Sequence, residues 1–94
     1  MRVYDGVNTD LPGGWVMRAD DIKGLTPLQI QEKYALPFEP VYVGEAIIPA
    51  GSKINIGIAN ELFGYPGGGI QIDLNYDRVG EFKELGEILK WNLE

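Results

Sequence analysis

The residues with the most chemical meaning lie in one stretch, Phe63-Gly64-Tyr65-Pro66-Gly67-Gly68-Gly69-Ile70-Gln71, which combines aromatic rings, a stiffening proline, three consecutive glycines and an amide. Three glycines ahead of a strand cost roughly 0.5–1 kcal/mol each relative to alanine in regular structure, so the backbone there either takes positive φ or is approached closely by another group. No Lys-Ser/Thr follows, which excludes a Walker loop, and a strand rather than a helix comes next, which excludes a dinucleotide fingerprint. Phe63 and Tyr65 offer an apolar wall for a planar ligand, with the backbone of Gly64, Gly67, Gly68 and Gly69 beside it. Gln71 is a poor proton shuttle, but its amide can orient a hydroxyl or a water and stabilise developing charge. Two plainer readings stay open. The glycines can be a tight turn with a bulge, and Gln71 a solvated residue on the outer face of a half-buried strand.

What the chain lacks narrows the chemistry further. It has no histidine and no cysteine. Ser-His-Asp, Cys-His and paired-His hydrolysis are therefore excluded, as are zinc sites built on His or Cys and disulfide staples. Fourteen acidic residues against eight basic ones give a net charge of −6. That field repels phosphate backbones and anionic lipid surfaces, and the basic residues are scattered rather than clustered. No apolar run approaches the roughly 18 residues of a spanning helix, and the first residues lack the apolar centre of a signal peptide. If the domain is exported, other parts of a longer polypeptide must do the exporting.

Elements must position the loop. At 94 residues the chain fits one domain, residues 1–94, with residues 1–14 as a loop or linker lead-in. Thirteen glycines and six prolines suggest short elements joined by tight turns. The expected fold is α+β, mainly antiparallel sheet with one or two short helices. Trp15-Val16-Met17 reads as a first strand. Thr26-Pro27-Leu28-Gln29 is a helix start, with Thr26 as cap, Pro27 at the first helical position and Gln29 completing a capping box, so a helix runs from Pro27 to about Tyr34. The prolines at 37 and 40 end it.

Val41 to Ile48 and Lys53 to Ile58 read as strands, most simply an antiparallel pair, with Ile54, Ile56 and Ile58 on one half-buried face. Ile70, Ile72 and Leu74 share a face, so Gln71 and Asp73 point the other way. Asp77 to Leu85 fits one or two helical turns that bury Val79, Phe82 and Leu85, with Gly86 as stop. Glu87 to Leu93 would be a final edge strand.

Tyr34-Ala35-Leu36-Pro37, then Pro49-Ala50-Gly51, then the run from Phe63 to Gln71 resemble the tuberculosis necrotizing toxin family, whose members show an Ala-Leu-Pro segment, strands and a Phe-Gly-x-Pro-Gly-Gly-Gly-x-Gln loop in that order. Runs like Gly24-Leu25-Thr26-Pro27 to Leu36-Pro37 also resemble C-terminal domains of contact-dependent and other polymorphic toxins. The resemblance spans roughly the C-terminal two-thirds of the chain. It implies hydrolysis of NAD between nicotinamide and ribose, with Gln71 in the catalytic site, NAD as substrate and neither metal nor other cofactor. Where the family carries an Arg-Phe-Gly segment, this chain has Trp15-Val16-Met17-Arg18, which makes Arg18 the candidate for a phosphate. Arg18 can equally be a surface partner of Asp20 or Asp21. Glu61 is the candidate carboxylate, or a solvated turn residue.

The resemblance also implies a secreted or delivered effector within a larger protein, acting in a target cell's cytoplasm and held by a cognate immunity protein. Charge adds that this partner should present a basic face. Two alternatives stay open. One is a metal-free ribonuclease toxin acting on tRNA or rRNA. The other is a non-catalytic binding module.

Overall fold

The computed structural model describes residues 1–74 and 81–93. In chain order their elements are β1 (Arg2–Tyr4), β2 (Trp15–Val16), α1 (Ala19–Ile22), α2 (Pro27–Tyr34), β3 (Tyr42–Ile47), β4 (Asn55–Ile58), β5 (Ile70–Asp73), β6 (Glu81–Glu87) and α3 (Ile88–Trp91). They form two three-stranded antiparallel sheets, ordered β1-β3-β6 and β2-β5-β4. The fold is therefore a small α+β domain, as the sequence suggests. Residues 2–4, expected within a lead-in loop, are a strand that pairs with Tyr42–Gly44.

Local chemistry sets α2. Thr26 Oγ1 accepts from the Gln29 N–H at 3.2 Å, and Gln29 Oε1 accepts from the Thr26 N–H at 2.9 Å, which closes the capping box around Pro27. The helix ends in a Schellman motif. Ala35 is left-handed at φ 50°, its N–H donates to the Glu32 carbonyl at 3.4 Å, and the Leu36 N–H reaches the Gln31 carbonyl at 3.0 Å. A left-handed alanine costs about 1–2 kcal/mol. Burial of Ala35 and packing of Leu36 on the core oppose that cost.

The two central strands expected to pair lie in different sheets. Both edges of β3 are taken, by β1 and β6, so β4 pairs with β5 instead. The expected helix up to Leu85 is also corrected: residues 81–87 are the strand β6, and its portion at 77–80 lies outside the described residues. Opposite β3, Val43 faces Gly86 and Gly44 faces Glu84, so Leu85 is the extra residue of a β-bulge, with Gly86 at φ +96°. The bulge turns the strand's period of two into the three-residue spacing of Phe82 and Leu85, which imitates a helix. The expected last strand is corrected too, because Ile88–Trp91 is helical.

The core joins Val3 and Val43 of the first sheet to Ile22, Ile30 and Tyr34 of the first two helices and Ile88 of α3. Ile22, Ile30, Val43 and Ile88 are fully buried. Each contributes about 1.5–3 kcal/mol relative to an exposed side chain. The second sheet joins this core through Met17 and Ala59, just past the ends of β2 and β4. It is thus mounted on the core by its strand ends, and its isoleucines Ile56, Ile58 and Ile70 stay exposed. Asn92 fastens α3 to the turn before α2, with its Nδ2 donating to the Leu25 carbonyl at 2.8 Å and its Oδ1 accepting from the Gly24 N–H at 3.0 Å.

Candidate functional site

The second sheet orders the candidate side chains. In its ladders Trp15 lies opposite Asp73, Asn55 also opposite Asp73, and Gly57 opposite Gln71. Directly paired residues share a face of an antiparallel sheet. Trp15, Asn55, Gly57, Gln71 and Asp73 therefore line one side, while Val16, Ile56, Ile58, Ile70 and Ile72 line the other. The alternation expected for Ile70 to Leu74 holds. The half-buried face expected for Ile54, Ile56 and Ile58 does not: all three are exposed, Ile56 at 67% and Ile58 at 69%.

On the polar side lies an open cleft of about 270 Å³, walled by Trp15, Tyr34, Ala35 and Gln71, floored by Gly57, and closed at one end by Ala59, Asn60 and Leu62. Gly57 matters because a side chain there would stand across from Gln71. A Cβ at that position meets nothing within 4 Å, so the floor is open space. Trp15 is 49% exposed, which leaves indole surface free for a ligand. Its backbone is held by Arg2, whose guanidinium donates to the Trp15 carbonyl at 3.4 Å and to the Asp10 carbonyl at 3.2 and 3.3 Å. Burial lowers the Arg2 pKa, and the Asp10 charge opposes that shift.

Tyr34 is buried, and its hydroxyl has no hydrogen-bond partner. Asp21 Oδ2 is in the same condition. Burial first, and the Asp21 charge second, push the Tyr34 pKa up to about 12, so the phenol is neutral near pH 7. The Lys33 ammonium donates to the Asp21 carbonyl at 2.7 Å and lies 5.9 Å from the centre of the Tyr34 ring.

The glycine run positions this cleft from behind. The Gly67 N–H donates to the Glu32 carbonyl at 2.9 Å, the Gly68 N–H to the Ala59 carbonyl at 2.8 Å, and the Gly69 N–H to the Lys33 carbonyl at 2.9 Å. All three amides are thus engaged within the protein: that of Gly69 takes the Lys33 carbonyl at the end of α2, and that of Gly67 shares the Glu32 carbonyl with the longer bond from Ala35. A Cβ at Gly67 would lie 2.5 Å from the Ala59 carbonyl oxygen, and one at Gly69 would lie 2.6 Å from Tyr34 Cε1. The glycines let β5 dock on the helix end, and Gln71 is presented two residues later.

The aromatic part of the loop is a separate device. Leu62 and Tyr65 exchange backbone hydrogen bonds at 3.1 and 2.9 Å around Phe63 and Gly64, both at positive φ (54° and 79°). That is a type I′ hairpin turn, whose usual residues are Asn-Gly. Phe63 and Tyr65 are not among the residues lining the cleft; Trp15, Tyr34 and Leu62 supply its apolar wall instead. Gly64 belongs to the turn. Arg18 is exposed just before α1 and Glu61 is exposed between the two lining residues Asn60 and Leu62; neither lines the cleft. Of the candidate site residues only Gln71 lines it. Among the described residues no group of three or more acidic side chains comes together as a metal site, and no helix is long and apolar enough to cross a membrane.

Trp15 and Tyr34 escape sequence reasoning because each lies on an element whose local pattern is sufficient without them. Parity offered one signal: an aromatic residue beside the buried Val16 has to face away from it. No family model matches this chain, and no curated protein or solved structure matches it.

Proposed function

We propose that this chain is a toxin effector domain that hydrolyses NAD between nicotinamide and ribose, with the nicotinamide end held in the cleft of Trp15 and Gln71. One observation carries the reading. The cleft combines an exposed indole and two amides, Gln71 and Asn60, over the open floor at Gly57, with no charged side chain in its lining. Nicotinamide has matching parts. Its ring is planar and positively charged in the substrate, which suits an indole face by about 0.5–2 kcal/mol. Its carboxamide is complementary to Gln71 or Asn60.

In the reaction the C1′–N bond breaks and its electron pair passes to the ring nitrogen, so nicotinamide leaves neutral. A water oxygen bonds to C1′ and releases its proton to solvent or to a carboxylate, a role we assign to Glu61 at the rim. Gln71 orients the water or a ribose hydroxyl and stabilises the positive charge developing on the sugar through its carbonyl oxygen. Arg18, outside the cleft, is assigned to the pyrophosphate. The loop from Phe63 to Gln71 supports the toxin class, with delivery inside a larger protein to a target-cell cytoplasm and restraint by an immunity protein.

A ribonuclease fits this cleft less well, since no cation lines it to hold a phosphate backbone. The test is incubation of the purified chain with NAD while free nicotinamide and ADP-ribose are followed. Release that falls about 100-fold or more in Gln71→Ala supports the reading. Binding of NAD without release makes the domain a binding module, and cleaved tRNA or rRNA with NAD intact makes it a ribonuclease.

A further inference from the structure

Of the two aromatic residues that wall the cleft, Tyr34 is buried and Trp15 is half exposed. How Trp15 is held therefore decides what a planar ligand meets. Its local anchorage is slight. The strand β2 is two residues long and, among the described residues, pairs with β5 alone. Directly before it come Gly13 and Gly14, neither with a Cβ to restrain the backbone. The Leu74 N–H donates to the Gly14 carbonyl at 2.8 Å, so the alternation of an antiparallel ladder turns the Trp15 backbone groups away from β5. The sheet itself leaves the Trp15 carbonyl unused.

Arg2 takes it. The Arg2 backbone belongs to the first sheet, opposite Gly44 of β3, while its guanidinium reaches the second. Nη1 donates to the Trp15 carbonyl at 3.4 Å, and Nε and Nη2 donate to the Asp10 carbonyl at 3.3 and 3.2 Å. One planar fork thus grips the chain on either side of the glycine pair. A lysine, with a single ammonium on a flexible stem, does not hold two such points in a fixed geometry. Gly13 makes room for the fork: a Cβ there would lie 2.5 Å from the guanidinium carbon and 2.7 Å from Nε and Nη2.

We propose that Arg2 is a positioning residue which, seated in the space left at Gly13, fixes Trp15 in the cleft and so sets the affinity for a cationic aromatic ring. The identity of that ring rests on the nicotinamide reading above. An indole face on a cation contributes roughly 2- to 30-fold in affinity. As the C1′–N bond breaks, the positive charge leaves the ring, so this contact favours bound substrate over the transition state. Loosening Trp15 therefore raises KM and leaves kcat within about 3-fold.

Two variants release the fork by different routes. Arg2→Lys removes it. Gly13→Ala pushes it aside, because the nearest atoms a Cβ meets there all belong to the end of the Arg2 side chain. Gly13 is not among the glycines at positive φ, so alanine is expected to fold there with unchanged circular dichroism. The chain has two tryptophans, Trp15 and Trp91. Fluorotryptophan labelling gives one fluorine resonance in the cleft and one in α3 as an internal control, assigned with Trp15→Phe. The probe is the N-methylnicotinamide cation, which carries neither ribose nor phosphate. In the unsubstituted chain it is expected to shift the Trp15 resonance saturably and leave that of Trp91 in place. In both variants the Trp15 line is expected to narrow as the indole gains motion, the probe to bind about 5-fold more weakly, and Trp91 to stay unchanged. KM for NAD rises in parallel while kcat holds. An unchanged Trp15 line and affinity in both variants overturns the proposal, as does an equal change at Trp91, which would mean general loosening. Failure of the nicotinamide reading is distinct: a probe that moves neither resonance in the unsubstituted chain removes that reading, and the Trp15 line of the two variants then decides the role of Arg2.

Discussion

Gly57 stands directly across the β4–β5 ladder from Gln71, and the space its missing side chain leaves is the floor of the cleft. The pairing separates stability from function at one position. Valine at 57 meets no neighbouring atom within 4 Å of its Cβ, and a β-branched residue suits a strand better than glycine by about 0.5–1 kcal/mol. Gly57→Val should therefore melt at the same temperature or slightly higher while it loses nicotinamide release by 10-fold or more. A variant that melts early would mean Gly57 serves the backbone rather than the cleft.

The three glycines differ in cost. Alanine at Gly69 drives its Cβ to 2.6 Å from Tyr34 Cε1 and 2.9 Å from Lys33 Cγ, and Gly67→Ala meets the Ala59 carbonyl oxygen at 2.5 Å. Gly68 has φ +95° but no neighbour within 4 Å, so Gly68→Ala is expected to cost only the left-handed penalty, about 1–2 kcal/mol. Gly69→Ala and Gly67→Ala should each cost about 2–4 kcal/mol, since a packed helix end has to give way. Urea unfolding of the three variants gives the ranking, and equal costs would contradict the docking of β5 on α2.

The hairpin tip offers a change in the other direction. Phe63 holds φ 54° in a turn that favours asparagine there, and it is 57% exposed without lining the cleft. Phe63→Asn should stabilise the chain by about 1 kcal/mol and leave nicotinamide release within about 2-fold. A loss of release at unchanged stability would make Phe63 a substrate contact after all.

These positions show what was legible from sequence. The end of α2 is closed by the left-handed Ala35 rather than by the prolines at 37 and 40, but its start was readable because Thr26, Pro27 and Gln29 act on one another within four residues. The parity of Gln71 and Asp73 was readable for the same reason. Pairing was not: β4 carries a clear period of two, but whether its isoleucines are covered depends on which strand lies beside it. The spacing of Phe82 and Leu85 suited a helix only because a bulge opposite Val43 and Gly44, set by a partner roughly forty residues away in sequence, adds one residue to a strand. The loop from Phe63 to Gln71 reads in the sequence as one unit. Its parts divide differently, into a turn, a clamp on α2 and the single cleft residue Gln71.

Tyr34 sets an alkaline limit on stability. Its pKa is raised from 10.0 to about 12, chiefly by burial and then by the Asp21 charge. Between those values the unfolded chain gives up the phenolic proton while the folded chain keeps it. Folding then binds more protons than the unfolded state, so stability falls as pH rises. The contribution is complete below pH 10 and lost progressively toward pH 12, to the extent of about 2 kcal/mol. The hydroxyl is also buried without a partner, so Tyr34→Phe should gain about 1 kcal/mol at pH 7. It should also flatten its share of the fall above pH 10, a fall to which Tyr4, likewise raised by burial, still contributes. Chemical denaturation of both proteins at pH 7, 9 and 11 measures this. Parallel losses of stability in the two would place the Tyr34 hydroxyl in contact with water, and a loss of stability at pH 7 in Tyr34→Phe would mean that the hydroxyl is hydrogen-bonded in solution.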